Sequence, residues 1–186
     1  VAASACRALP IPAAGPAPSA PSAPGRLAAF RDPGHVTYSR RISACHTRDH
    51  GQLPDPACTP GSIDPAVTQA DIGSTICREG WTATIRPPES QTEHAKFDVV
   101  DPAYGMSPGA TGELDHEVPL ELGGSNDVTN LWLEAGPIPN PKDAVEGALK
   151  RAVCDRKVSL LAAQAAIARD WMTAGRVLGV PAAGHQ

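Results

Sequence analysis

The cysteines at positions 45, 58, 77 and 154 constrain this chain most, because none of them belongs to a CxxC or another close pair that grips zinc or runs thiol exchange. Cysteines scattered in this way point instead to cross-links made in an oxidising compartment. Four thiols allow three pairings. The preferred one joins Cys45 to Cys58 and Cys77 to Cys154. Its first bridge closes a short loop, which removes about 3 kcal/mol of chain entropy from the unfolded state, and its second ties a loop to a helix late in the chain. The competing reading is a set of reduced thiols buried in a core.

At 186 residues the chain has room for one modest domain and a tail, since single domains commonly run about 100 to 150 residues. Twenty prolines and 17 glycines are too many for a chain packed throughout. The prolines crowd into "ALPIPAAGPAPSAPSAPG", Ala8 to Gly25, a tract with almost nothing to bury and no helical or strand period. The organisation expected is a disordered, extended tether over 1–34, a folded domain over 35–180 and a short tail over 181–186. No run of about 18 apolar residues occurs that would span a membrane. Cys6 follows "AASA" and precedes the tether, which resembles the junction of a bacterial lipoprotein and makes Cys6 a candidate lipid anchor. The alternative is simple secretion with an unremarkable terminal cysteine.

Within the folded part, "CHTRDHG" places His46, Arg48, Asp49 and His50 together, and a solvated loop beside a disulfide is the expected reading. "SIDPAVTQADIG" predicts a helix capped by Asp64 with Pro65 at its first position. "TICREGWTATIRPP" alternates around Glu-Gly and predicts a short hairpin ending at Pro87. One or two helical turns are expected over Glu93 to Val100, then a loop through "DPAYGMSPGATG". Further on, a strand runs from about Asn130 to Leu133. Asn140 then caps a helix with Pro141 first and Asp143 third, where an acid favours the helix N-terminus. Val145, Leu149, Ala152 and Val153 recur at helical spacing on that helix. A second helix starting at Ser159 and carrying Leu160, Gln164, Ile167 and Trp171 on one stripe completes a helical hairpin.

The remaining stretch is "ELDHEVPLELGGSNDVTNLW", which puts Asp115 beside His116, follows them with a second strand segment, and turns at Gly123-Gly124. Alone, an Asp-His pair is as compatible with an ion pair on a strand edge as with a reactive site. Strand, turn, strand and helix in this order, with His116 preceding Asn130 by 14 residues and Asn130 preceding Asn140 by 10, resemble the HNH nucleases. The likeness is to the Asp-His, Asn, Asn version of that motif, and its core spans 113–154. The segment from Cys45 to Trp171 also resembles small secreted bacterial proteins of the HNH-like class.

That resemblance implies an α+β fold built on a ββα-metal (HNH, or His-Me finger) core with short strands, a C-terminal helical hairpin and disulfide-stapled N-terminal loops. It implies His116 as general base, since an imidazole titrating near pH 6.5 suits proton abstraction at neutral pH. Asn130 braces the loop that holds His116. Asp115 and Asn140 supply hard oxygen ligands suited to Mg2+ or Mn2+, and Asp143 can take over as ligand or simply complement the helix dipole. Glu146 supports the site from behind, and Lys142, Lys150 and Arg151 contact substrate phosphate. The family's usual third histidine is absent.

The implied activity is metal-dependent hydrolysis of DNA phosphodiesters with low sequence specificity, by a secreted or cell-surface protein whose partner is nucleic acid, chiefly double-stranded DNA, with an immunity protein unknown. Charge argues against tight duplex binding: the net charge is −4 and the pI about 5.8. Basic residues concentrate at Lys142, Lys150, Arg151, Arg156 and Lys157. Two alternatives follow. One is a non-catalytic envelope or secreted binding module on the same scaffold; the other is a phosphodiesterase acting on RNA or nucleotides.

Overall fold

The computed structural model describes residues 26–107, 110–136 and 138–180. The Ala8 to Gly25 tract, Cys6 and the tail 181–186 lie outside the described residues. The fold is α+β, with two small two-stranded sheets. Strand β1 (Ala28–Ala29) pairs in parallel with β2 (Ser62–Ile63), so the folded part begins before residue 35. Helix α1 (Glu89–His94) runs into a π-helical segment (Ala95–Val100) and then α2 (Asp101–Ala103). Strands β3 (Glu113–His116) and β4 (Leu131–Glu134) form an antiparallel pair in which Asp115 faces Trp132 and His116 faces Leu131. Helices α3 (Pro141–Cys154), α4 (Leu160–Arg169) and α5 (Trp171–Val177) complete the chain.

Two apolar clusters form the core. The larger joins Val145, Leu149 and Val153 of α3 to Ile167, Trp171 and the loop residues Ile72, Ile76 and Trp81. The smaller gathers Ala95, Val100, Tyr104, Leu131 and Trp132 around Cys45 and Cys58. Both disulfides take the preferred pairing, Cys45–Cys58 and Cys77–Cys154. The second encloses a loop with a sequence separation of 77 residues and contributes about 4 to 5 kcal/mol in the chain-entropy model.

Four local expectations give way. The segment after Asp64 forms successive turns, not a helix. Asp64 Oδ1 accepts from Ala66 N, and the hydroxyls of Ser74 and Thr75 both donate to Asp71 O, so side chains compete with the helical ladder. The expected hairpin before Pro87 is a run of turns with a 3-10 helix at Thr82–Thr84. A strand there would bury Ala83 alongside Trp81 and Ile85, yet only the latter two are buried, at helical spacing. The second strand segment of the motif is a 3-10 helix, Leu120–Leu122. Pro119 has no N–H for a ladder, and the backbone of Val118 bonds to a side chain in place of a strand. Finally, the long C-terminal helix breaks at Asp170, which is extended. Its carboxylate accepts from Met172 N and Thr173 Oγ1 and starts α5 afresh. The break lets Trp171 enter the core and donate to Gln52 O at 2.7 Å.

Candidate functional site

The loop from Gly123 to Asn130 holds the site together. Gly124 is irreplaceable on steric grounds, because a Cβ there would lie 1.7 Å from Val118 O. Gly123 has φ +74°, and a Cβ on it would press into Val67. These two glycines let the chain return close enough for Asn130 to act. Its Oδ1 accepts from Ser62 N and Val118 N, and its Nδ2 donates to Val118 O and Ser125 O. One fully buried amide thus joins β2, the segment after His116 and the loop itself. Asp127 pins the same loop from outside, accepting from Thr129 and from Ser39. Burial alone would push its carboxyl up; the hydrogen bonds from Thr129 and Ser39 outweigh this and hold it below the usual range.

His116 is buried at the end of β3, and its Nε2 lies 3.0 Å from Asn126 Oδ1. Asn126 was not singled out in the sequence, although it stands four residues before Asn130 in the same loop. Its Nδ2 donates to two carbonyls, Asp32 O and Ile85 O, and its own N donates to Asp32 Oδ1. That orientation leaves Oδ1 as an acceptor only, so His116 carries its proton on Nε2 and its lone pair on Nδ1. Among the described residues Nδ1 has no hydrogen-bond partner. Burial is the main cause that lowers the imidazole pKa to about 4, with Arg86 and Lys142 adding to it, against the opposing pull of Asp115. At neutral pH the ring is therefore an uncharged base.

A cleft of about 450 Å³ opens over His116, Asn126 and Leu131, between the β3–β4 pair and the helical run from Glu89 to Phe97. Its cationic side chains are Arg86 and Lys96, and Glu89 and Glu93 stand on the same walls. Lys96 Nζ donates to Gly112 O at 2.7 Å and lies 5.4 Å from the centre of the Phe97 ring. Arg86 is exposed, and its side chain makes no hydrogen bond or ion pair among the described residues, although its charge reaches both His116 and Glu113. Phe97, at 46% exposure, offers an open ring at this cleft. These residues lie 19 to 30 positions upstream of His116, and no local pattern ties them to it.

The opposite face of the strands is built differently. Lys142, at the start of α3, is fully buried, and its Nζ donates to Asp115 Oδ2 at 2.6 Å, to His116 O at 2.7 Å and to Glu146 Oε1. Burial works against its charge, but Asp115 and Glu146 more than compensate and push its pKa up. Burial also raises Asp115, which Lys142 and a hydrogen bond from Glu134 bring below the usual range. Glu134 keeps its proton, raised by burial and by Asp115. Burial raises Glu146 too. Glu117, with both oxygens buried and unpartnered among the described residues, is pushed up to about 8 by burial.

The expected ligand set does not come together. Asp115 is engaged by the Lys142 ammonium and the Glu134 carboxyl. Asn140 is a buried N-cap whose N donates to Asp143 Oδ2, and its Nδ2 has no partner among the described residues. Asp143 is exposed and committed to that cap. Among the described residues no group of three His, Cys, Asp or Glu side chains is arranged to hold a metal ion. A Mg2+ or Mn2+ bound by Asp115 and Asn140 does not fit, because an ammonium already fills the position facing Asp115. Lys142 is in turn unavailable to substrate phosphate. Lys150 pairs with Glu121 at 3.2 Å, and neither it nor Arg151 lines the cleft at His116.

Compared with known proteins, the chain matches no family model, and no curated protein or solved structure is found similar to it.

Proposed function

We propose that the protein cleaves phosphodiester bonds of nucleic acid, with His116 as the proton acceptor at the floor of the Arg86–Lys96 cleft. The observation that carries this reading is the neutral imidazole held through one nitrogen by Asn126 on the wall of a cleft whose cations, Arg86 and Lys96, pair with no carboxylate among the described residues. Such an arrangement can take a proton from an attacking oxygen, while Arg86 offsets charge developing on the phosphoryl oxygens. The β3–β4 pair followed by α3 is the strand-strand-helix order on which the resemblance to HNH nucleases rests. Mg2+ at Asp115 and Asn140 has no part in the reading, for the reason given above. The two disulfides agree with an extracytoplasmic setting, and among the described residues no helix is long and apolar enough to cross a membrane.

The test incubates oxidised protein with supercoiled plasmid and with RNA, with and without EDTA, beside the His116→Ala variant. Cleavage that falls by about 10²–10⁴ in the variant supports the reading. Equal cleavage by the variant refutes it. A non-catalytic binding module is the second reading, favoured by the net charge of −4; folded protein that cleaves no nucleic acid under any of these conditions would support that instead.

A further inference from the structure

We infer that the substrate is single-stranded RNA, cut without a metal ion by attack of its own 2′-hydroxyl, with a base stacked on Phe97. This rests on the reading that His116 is the base at a phosphodiester.

Three observations converge. The first is that the cation beside Asp115 is a side chain of the protein itself, the ammonium of Lys142, sealed on three oxygens away from the cleft. A bound metal makes water a nucleophile at neutral pH by lowering its pKa from about 15.7 toward 7. Among the described residues no three His, Cys, Asp or Glu side chains are grouped to hold such an ion, so a nucleophile already attached to the substrate has the advantage. A ribose 2′-hydroxyl is such a nucleophile: it is held next to the phosphorus, and well-oriented intramolecular attack carries effective molarities of about 10⁵–10⁸ M.

The second is the cleft's chemistry. His116, with its lone pair on Nδ1, lines the cleft together with Arg86, which no carboxylate engages among the described residues. In the reaction the 2′-oxygen bonds to phosphorus as its proton passes to Nδ1. The P–O5′ bond breaks, and the 5′-oxygen departs with the electron pair and takes a proton from water. The imidazolium then returns its proton to the hydroxide left behind. The products are a 2′,3′-cyclic phosphate and a 5′-hydroxyl, with no oxidant, reductant or metal required.

The third is shape and charge. The cleft is lined by Val36, Pro87, Leu114 and Leu131, with the exposed Phe97 ring beside them and Lys96 against that ring. An aromatic platform beside cations suits an unstacked base, and stacking of this kind is available only where the strand is single. A duplex wants a broad basic face, whereas this cleft also carries Glu89 and Glu93 and the whole chain is acidic.

The test uses three end-labelled strands of one sequence: all RNA, all DNA, and DNA with a single ribonucleotide. Each is incubated with the full disulfide-bonded protein or its His116→Ala variant, in EDTA and in Mg2+, and products are read by gel and mass spectrometry. The expected result is cleavage of the RNA, one cut 3′ of the lone ribonucleotide, a cyclic phosphate end, and DNA intact to at least 100-fold slower rates. Phe97→Ala should raise KM about tenfold with little change in kcat, and Arg86→Met should lower kcat. Cleavage of the all-DNA strand at a similar rate, or loss of all cleavage in EDTA, overturns this inference while His116-dependent cleavage of either strand leaves the preceding reading intact. No cleavage of any strand under any condition overturns both.

Discussion

Asp115 and His116 are neighbours in sequence, yet the pleat of β3 sends them to opposite faces of the β3–β4 pair, and the two faces obey different rules. On the His116 face a single buried ring bonds to one neutral amide and otherwise meets an open cleft. On the Asp115 face Lys142 is fully buried and closed in by carboxyl groups. The first face is poised to exchange a proton with something that enters. The second is a sealed electrostatic lock that clamps α3 onto the strands through His116 O as well as Asp115. An Asp-His pair therefore need not serve one ligand, and here the aspartate acts on the histidine chiefly by fixing the strand that bears it.

The sharpest way to break this contrast is Lys142→Met. It leaves Asp115 and Glu146 buried without their cation, a change that costs about 3–5 kcal/mol where one partner of a buried pair is lost. Urea unfolding should report that loss. If Lys142 were instead a phosphate contact, stability would hardly change and activity alone would fall. Next in size is Asn130→Ala, which strands the backbone groups of Ser62, Val118 and Ser125 together. With about 1–3 kcal/mol for each buried group left unsatisfied, a loss of at least about 3 kcal/mol is expected in the same measurement.

A smaller and more selective change is Asn126→Ala. It removes the acceptor that places the proton on Nε2, so the imidazole can take either tautomer. Cleavage should drop about tenfold or more, and the 15N shifts of His116 should move from an Nε2–H pattern toward a mixture. Unchanged shifts would mean that another group sets the tautomer. The role of Asn126 also shows what the sequence makes readable. Asp115, His116, the glycine turn and the cap at Asn140 all lie within one continuous stretch, where spacing and strand or helix period carry information. Asn126 depends on Asp32 and Ile85, Arg86 and Phe97 come from a distant segment before and within the helical run, and the meaning of Lys142 depends on which way α3 faces. The segment before residue 35 reads as linker by composition, yet Asp32 within it holds Asn126. Contacts across 40 to 90 residues leave no local period to detect.

The least of these effects separates the faces by pH. Burial pushes Glu117 up to about 8 from an ordinary 4.5, and it raises Glu134 and Glu146 in the same sense. Such groups hold a proton in the folded protein at pH values where the unfolded chain has released it, so their contribution is full below the unfolded value and is lost as pH rises through the folded one. His116 acts oppositely. Its pKa is depressed to about 4 from 6.5, so the unfolded chain takes up the proton first and stability falls as pH drops through that interval. Three carboxyls outweigh one imidazole, and melting temperature should decline from about pH 5 to pH 9. Glu117→Gln keeps the shape and removes the ionisation. It should flatten the alkaline part of that decline and stabilise the protein by more than about 1 kcal/mol at pH 9, with little change at pH 5 and none in the His116 tautomer. An unaltered slope would mean that Glu117 is paired at high pH. The sealed face would then be less acidic in character than its unpartnered oxygens make it, and Lys142 would be shared among three carboxylates where the structure gives it two.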